Sequence, residues 1–527
     1  MSDATKRLQR AEILFLLLLT LLAFALRWYR VGSISLAEDE AHKWHAIQQY
    51  KQGRFVGVNS EHPMLMKILA WGTLEFGQRW NRSMAGRPSL RAAEEAWLRL
   101  PNLLLGALLS VLIYLYGKHL MGFWGAASAA FFWAVLPLPV AQNRILKEDT
   151  LLTLFILLGC YFYVLAKKAS TVRGTRWLYV ASGAAFGVSV ASKYVFGLFG
   201  INSLAWYAAS LYGLERGQPG VGKHLIHFLL AMGLAFVVFN PVILVPENVA
   251  TMWQYVGEKT VTHHGYNLDG GVHINNASAA PFGLPWYFYA WVLGVKTPLP
   301  VLACFVLGVL CIIVRRRSLA SVVLRSWMVI LLLVHTGVGG KFIRYLLLLH
   351  PWICLAAGWG AATLLDWLRG WPDSPRRWVA LLVAGLLLVV VPLAEAISWA
   401  PWYPLYLNPL GGGEKNVARF FPHDELYDLG LREALDYVCR VAPPGAAVAS
   451  DNRAAVHYYL QRYGRADLRV MRLSDPQYVP RPGDFLLVQE SRRYFETQDL
   501  FYLLARRGPP LKDVRVNGVL AVRVYRF

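Results

Sequence analysis

Charge is scarce in this chain. Asp, Glu, Lys and Arg make up only 16% of its 527 residues, against about 25% in a soluble domain. Hydrophobic residues make up 56% and lie in long runs, so the polar surface cannot cover the three or four soluble domains of roughly 150 residues that this length would otherwise suggest. Cysteine is scarce too. Cys160, Cys304, Cys311 and Cys354 sit in apolar runs and Cys439 stands alone in a polar tail, which excludes a disulfide scaffold and a zinc-ligand spacing. No internal repeat is visible. Disorder and collagen-like fibre are excluded by the same composition, and a polytopic membrane protein remains.

Acidic residues are the rarest charged class: 32 against 53 basic, a net charge of +21. In a soluble protein that excess would suggest nucleic acid. Here residues 401–527 carry only +4, and the other +17 lies among apolar runs containing 18 acids. The basic residues therefore read as flanks of membrane spans, and nucleic acid is not an expected partner.

A span needs roughly 20 apolar residues. The pattern predicts eleven, at 12–31, 97–117, 122–141, 150–166, 177–193, 195–213, 225–245, 298–314, 326–340, 345–365 and 378–398. The first lacks a small-x-small cleavage site and reads as an uncleaved helix. Lys6, Arg7, Arg10, Lys118, Lys167, Lys168, Arg315–Arg317 and Arg376–Arg377 fall in alternate short loops. Loops rich in Lys and Arg face the cytoplasm, so the N-terminus is expected inside and the C-terminal tail outside. The expected architecture is an all-α polytopic membrane unit over 1–400 with outer loops at 32–96 and 246–297. A small extracytoplasmic α/β domain follows over 401–527. In that tail, strands near 446–450, 468–474, 484–490 and 518–526 alternate with helices near 426–440, 452–464 and 493–507, the βαβ pattern. Residues 64–80 have apolar residues at helical spacing and suit a helix lying flat on the outer surface.

Acids at a membrane boundary are costly and are usually paired or functional, and only a few fall on the expected outer side. Glu38-Asp39-Glu40 follows the first span, Glu61-His62-Pro63 lies in the same loop, and Glu148-Asp149 opens the fourth span beside Arg144 and Lys147. Asp39 has the chemistry of a general base toward a hydroxyl, and its position equally suits a helix cap or a solvated charge. Glu61 and His62 suit a metal, a substrate or a turn. Asp149 suits a helix N-terminus. Lys193, Lys296, Lys341 and Arg344 reach the outer edge, either as snorkelling side chains or as an anion site. His263, His264 and His273 with Asp269 match no standard zinc spacing.

The order of these pieces resembles the bacterial and archaeal relatives of the protein O-mannosyltransferases and the lipid A aminoarabinose transferase, glycosyltransferases of the GT-C fold class that use polyprenyl-phosphate sugars. Seven pieces carry the resemblance over about residues 10–415: Ala37–Ala41, Glu61–Leu65, Asn143–Thr150, Ser192–Tyr194, Trp286–Phe288 with Lys296–Pro300, Lys341–Tyr345 and Asn408–Gly412. Each is short, and their shared order on the predicted outer side makes them specific together. The chain departs from the pattern at His62-Pro63-Met64, where the family has His-Pro-Pro, and at His42-Lys43, where the aminoarabinose transferase has Arg-Tyr.

The resemblance implies a sugar donor on a polyprenyl phosphate, an acceptor hydroxyl on protein, lipid or glycan, and transfer at the outer face of the inner or plasma membrane with inversion at the anomeric carbon. It implies Asp39 as the base, with Glu40 beside it. Arg344, Tyr345, Lys193 and Lys296 are implied at the donor phosphate, and Glu61, His62, Arg144 and Asp149 in holding the acceptor or orienting the loops. The resemblance assigns no definite cofactor, since some relatives depend on metal and others do not, and a divalent metal on Glu61, His62 and His264 stays open. Two other classes stay open as well. One is a secondary transporter, against which the lack of duplicated halves speaks. The other is an oligosaccharyltransferase or glycan ligase of the same fold class.

Overall fold

Long apolar runs fold into helices because a helix satisfies its own backbone polar groups where water is absent. The computed structural model describes residues 3–194, 221–258, 265–275, 283–314, 318–337 and 339–527. Its first seven helices are α1 (Asp3–Trp28), α2 (Glu38–Lys51), α3 (Leu65–Ser83), α4 (Glu94–Val135), α5 (Pro137–Asn143), α6 (Glu148–Ala166) and α7 (Val172–Ser192). Further apolar helices run over Val221–Phe239, Leu299–Val314, Leu319–Gly337, His350–Arg369 and Pro375–Ser398. The chain is a mostly helical, multi-pass membrane protein.

Every predicted span inside the described residues falls on a helix; 195–213 lies outside them. Fewer helices than eleven are long and apolar enough to cross a membrane by themselves. Among the described residues five are, and His224–Phe239 and Leu299–Val314 are shorter apolar helices. One reason is local: two predicted spans share α4, which turns at Met121 and at Gly122 (φ +69°). Glycine enters that region without a steric penalty. A second reason is composition. Helix His350–Arg369 is rich in Ala and Gly because it is crossed closely. A Cβ on Gly308 would collide with the Ala356 carbonyl, and one on Gly360 with the Cys304 carbonyl. Small residues at such crossings let two backbones touch.

Arg27 is fully buried in α1. Its guanidinium donates to Asn143 Oδ1 at 2.9 Å and to the carbonyls of Ala23, Ala134 and Trp133, which ties α1 to α4 and α5. α3 matches the predicted surface helix, with Leu69, Phe76 and Trp80 exposed on one face.

The tail forms a five-stranded sheet in the order β4-β3-β5-β7-β6. β3 (Ala447–Ala449) runs parallel to β4 (Arg469–Met471) and to β5 (Phe485–Gln489). β7 (Val519–Arg526) is antiparallel to β5 and to β6 (Lys512–Val516). The alternation expected from sequence is present, with β6 as an added edge strand. A small antiparallel hairpin, β1 (Tyr266–Leu268) and β2 (Gly271–His273), was not foreseen in the second outer loop.

The helix expected over 426–440 is instead broken. Pro422–Leu426 and Leu431–Val441 flank a kink where Tyr427 (φ +35°) and Gly430 (φ +81°) leave helical geometry. The tail also shares a core with the segment after the first helix: Leu36, Ala41 and Ile47 pack in one cluster with Leu431, Leu435, Val448, Tyr459 and Val522. A boundary at 401 therefore separates two sequence styles but not two independent cores.

Candidate active site

Three acids open α2, where negative charge favours the helix dipole. Glu40 Oε2 accepts the Ala37 N–H at 2.9 Å, the arrangement of an acid at the third helical position reaching back over the cap. This turn aims Asp39 into a cavity of about 910 Å³ lined also by Glu38, Arg344, Tyr345, Tyr427, Arg453 and Arg492. One wall comes from α2 and the segment around Arg344, the other from the tail domain.

Asp39 is the centre of the charge arrangement. Lys147 Nζ contacts its Oδ2, and the Tyr427 hydroxyl donates to the same oxygen at 2.8 Å. Burial disfavours the Asp39 carboxylate, but Lys147, Lys43 and Arg344 outweigh it and hold its pKa well below the ordinary carboxyl range. Burial likewise opposes the Arg344 charge, and Tyr345, Tyr427, Asp39 and Asp424 around it push its pKa up. Among the described residues Arg344 forms no ion pair; its guanidinium lies over the Phe342 and Tyr345 rings at 4.1 and 5.4 Å. A permanently charged planar cation without a carboxylate partner suits a phosphate.

Of the residues expected at the site, Asp39, Arg344 and Tyr345 line the cavity. Lys193 and Asp149 stand behind them. Lys193 pairs with Asp149 at 2.8 Å and sits 4.9 Å from the centre of the Tyr345 ring. Glu61 and His62 lie nearby but outside the lining. Asn59 Nδ2 donates to Glu61 at 3.4 Å; burial pushes the His62 pKa down to about 4 against the pull of Glu148, so its imidazole is neutral at pH 7.

Three expected residues are instead engaged elsewhere. Glu40 is fully buried, accepts two guanidinium bonds from Arg99 at 2.6 and 2.7 Å, and accepts the Leu146 N–H at 2.7 Å. Its oxygens are occupied, so it braces α2 against α4. Lys296 is buried against Glu425 at 2.6 Å and donates to the Pro404 and Tyr406 carbonyls at 3.0 Å, pinning the connector to the tail. Arg144 donates to the Leu26 and Tyr29 carbonyls and lies 5.1 Å from the centre of the Tyr403 ring. Among the described residues no three His, Cys, Asp or Glu are arranged to hold a metal. His264 lies outside the described residues.

Sequence reasoning missed the partners that meet Asp39. Lys147 was visible only as one charge in Lys147-Glu148-Asp149. Glu148 itself pairs with Lys43 at 2.9 Å. Tyr427, together with Asp428 and Arg492, which meet the neighbouring Glu38, comes from the part of the tail beyond Asn408–Gly412 that carries no recognisable motif, and no signal short of the fold would have found them.

A family model described as dolichyl-phosphate-mannose-protein mannosyltransferase matches residues 87–244. No curated protein sequence matches. Among solved structures, ArnT from Cupriavidus metallidurans bound to undecaprenyl phosphate is similar at a TM-score of 0.55 and 14% identity, over 97% of each chain. The Archaeoglobus fulgidus oligosaccharyltransferase AglB, in complex with an inhibitory peptide and a dolichol-phosphate, is similar at a TM-score of 0.51 and 12% identity. That match covers 90% of this chain and 69% of AglB. At these identities the likeness concerns the fold, which is GT-C.

Proposed function

We propose that this chain, a GT-C-fold membrane glycosyltransferase related to the dolichyl-phosphate-mannose-protein mannosyltransferases, moves one sugar from a polyprenyl phosphate to an acceptor hydroxyl at the outer membrane face. The observation that carries this reading is one cavity lined both by a carboxylate in contact with a lysine, Asp39, and by a cation that forms no ion pair among the described residues, Arg344. An ionised carboxylate within reach of a hydroxyl can take its proton. A fixed cation stabilises the charge that develops on a departing phosphate. In the reaction the acceptor oxygen attacks the anomeric carbon, the bond from that carbon to the phosphate oxygen breaks, and its electron pair leaves with the lipid phosphate. Asp39 receives the acceptor proton. Arg344, with Tyr345 and Lys193 behind it, faces the phosphate, and the wall supplied by the tail faces the acceptor. The basic flanks of the spans support an extracytoplasmic position for that wall.

The similarity to ArnT, solved with undecaprenyl phosphate, supports a lipid-phosphate donor. The test is mass spectrometry of lipid copurifying with the protein, followed by release of polyprenyl phosphate from that lipid fraction. A copurifying polyprenyl-phosphate sugar consumed by wild type and not by Asp39→Asn is the expected result. A donor bearing a diphosphate-linked oligosaccharide would instead move the chain to the glycan ligases.

A further inference from the structure

The residue facing Asp39 from the tail has an unusual backbone. Tyr427 lies at φ +35°, ψ −115°, a region that is costly for a non-glycine residue and persists only where the surroundings enforce it. The enforcement is visible. Ser491 Oγ donates to the Tyr427 carbonyl. The next residue, Asp428, is buried and accepts from Arg492 at 2.8 and 3.0 Å and from Gln489 at 2.9 Å. It also accepts the Glu38 N–H at 2.9 Å. Arg492 reaches onward to Glu38 Oε2 at 2.8 Å. Two consecutive residues of the tail, 427 and 428, are thus fastened to two consecutive residues of α2, 39 and 38.

The fastening divides the Asp39 carboxylate. Lys147 and Tyr427 both engage Oδ2. Among the described residues Oδ1 has no such partner, and the side chain, 27% exposed, lines the cavity. We infer that Tyr427 is a positioning residue: with Lys147 it holds Oδ2 so that Oδ1 faces the acceptor and takes its proton, which makes the tail domain an integral part of the catalytic centre rather than an appended lid. The inference rests on Asp39 being the base. A hydrogen bond to the carboxylate favours its charged form, so the Tyr427 hydroxyl adds to the hold that Lys147, Lys43 and Arg344 already have on the ionised base.

The test is Tyr427→Phe, which removes the hydroxyl and keeps the ring, compared with Asp39→Asn. Two readouts are taken on full-length protein. One is the ionisation of the Asp39 carboxyl by infrared difference spectroscopy against Asp39→Asn, which needs no substrate. The other is the pH dependence of polyprenyl phosphate release from lipid-linked sugar extracted from source membranes. Removing the donor raises the Asp39 pKa, so both the spectroscopic midpoint and the acid limb of the rate profile move to higher pH. Turnover at the plateau falls about tenfold, while undecaprenyl phosphate binding is unchanged. A midpoint and rate profile identical to wild type would overturn the inference, as would a rate loss with no movement of either. If Asp39→Asn itself turns over normally, the base assignment fails and takes the inference with it, whatever the spectroscopic result.

Discussion

Asp39 and Glu40 are adjacent acids on the same helical turn with opposite surroundings. Glu40 is sealed and fully hydrogen-bonded to Arg99 and the Ala37 and Leu146 amides. Asp39 stands at a cavity wall with its cations on one side. A buried pair of the first kind cannot lose a partner without leaving an unpaired charge. A carboxylate of the second kind keeps an accessible oxygen and can change protonation state. The same charge, one residue apart, is therefore sealed into structure in one case and, in the proposed function, left open for chemistry in the other.

Substitutions separate the two roles. The largest effect is expected from Asp39→Asn, which should lower transfer by about 10²–10⁴-fold while thermal unfolding in detergent stays near wild type; normal turnover would break the contrast. Arg99→Ala should do the reverse. It leaves Glu40 buried and unpaired, destabilising the fold by about 3–5 kcal/mol, read as a lower unfolding midpoint or loss of folded yield, and a wild-type midpoint would show that Glu40 is not structural. Arg344→Ala should weaken undecaprenyl phosphate binding by about tenfold or more with the fold intact, measured by titration; unchanged affinity would remove Arg344 from the phosphate site.

The pH dependence sharpens the comparison further. Burial opposes ionisation of Glu38, but Arg492 overrides it and lowers the Glu38 pKa to about 2 from an ordinary 4.5. A depressed carboxyl contributes stability above its unfolded value and loses it as pH falls through the folded value. The link between tail and α2 should therefore loosen between pH 4.5 and about 2, and Arg492→Met should abolish that acid-dependent loss because the link is already loosened at pH 7, followed as amide exchange in α2 and Pro422–Leu426. The smallest effect is expected at the exposed pair Arg440–Asp436. Asp436→Ala should change stability by less than about 1 kcal/mol, and a larger loss would mean that surface charge in the tail matters more than its burial indicates.

Much of the fold was legible because membrane spans and βαβ alternation are written in local pattern. The βαβ strands, the helix Arg453–Arg462 and the surface helix α3 follow from periodicity alone. The split of the 426–440 helix was less legible, because only Gly430 marks it. The strained Tyr427 depends on contacts from residues some 60 positions away, Gln489, Ser491 and Arg492. Among site residues, Asp39 and Arg344 stood out as charges where charge is rare. Lys296 and Arg144 stood out equally, and the structure places both outside the cavity lining: Lys296 against Glu425 and two carbonyls, and Arg144 on the Leu26 and Tyr29 carbonyls, contacts that suit its expected part in orienting loops.

The sequence by itself determined that this is a mostly helical membrane protein and which few acids border its apolar runs, since those properties depend on composition along the chain. Only the tertiary structure decided which of two adjacent acids is held open and which is sealed. It also decided that the tail reaches back to α2. Both depend on which charges meet across nearly 400 residues of chain, between Asp39 and Tyr427, and packing rather than local pattern determines those meetings.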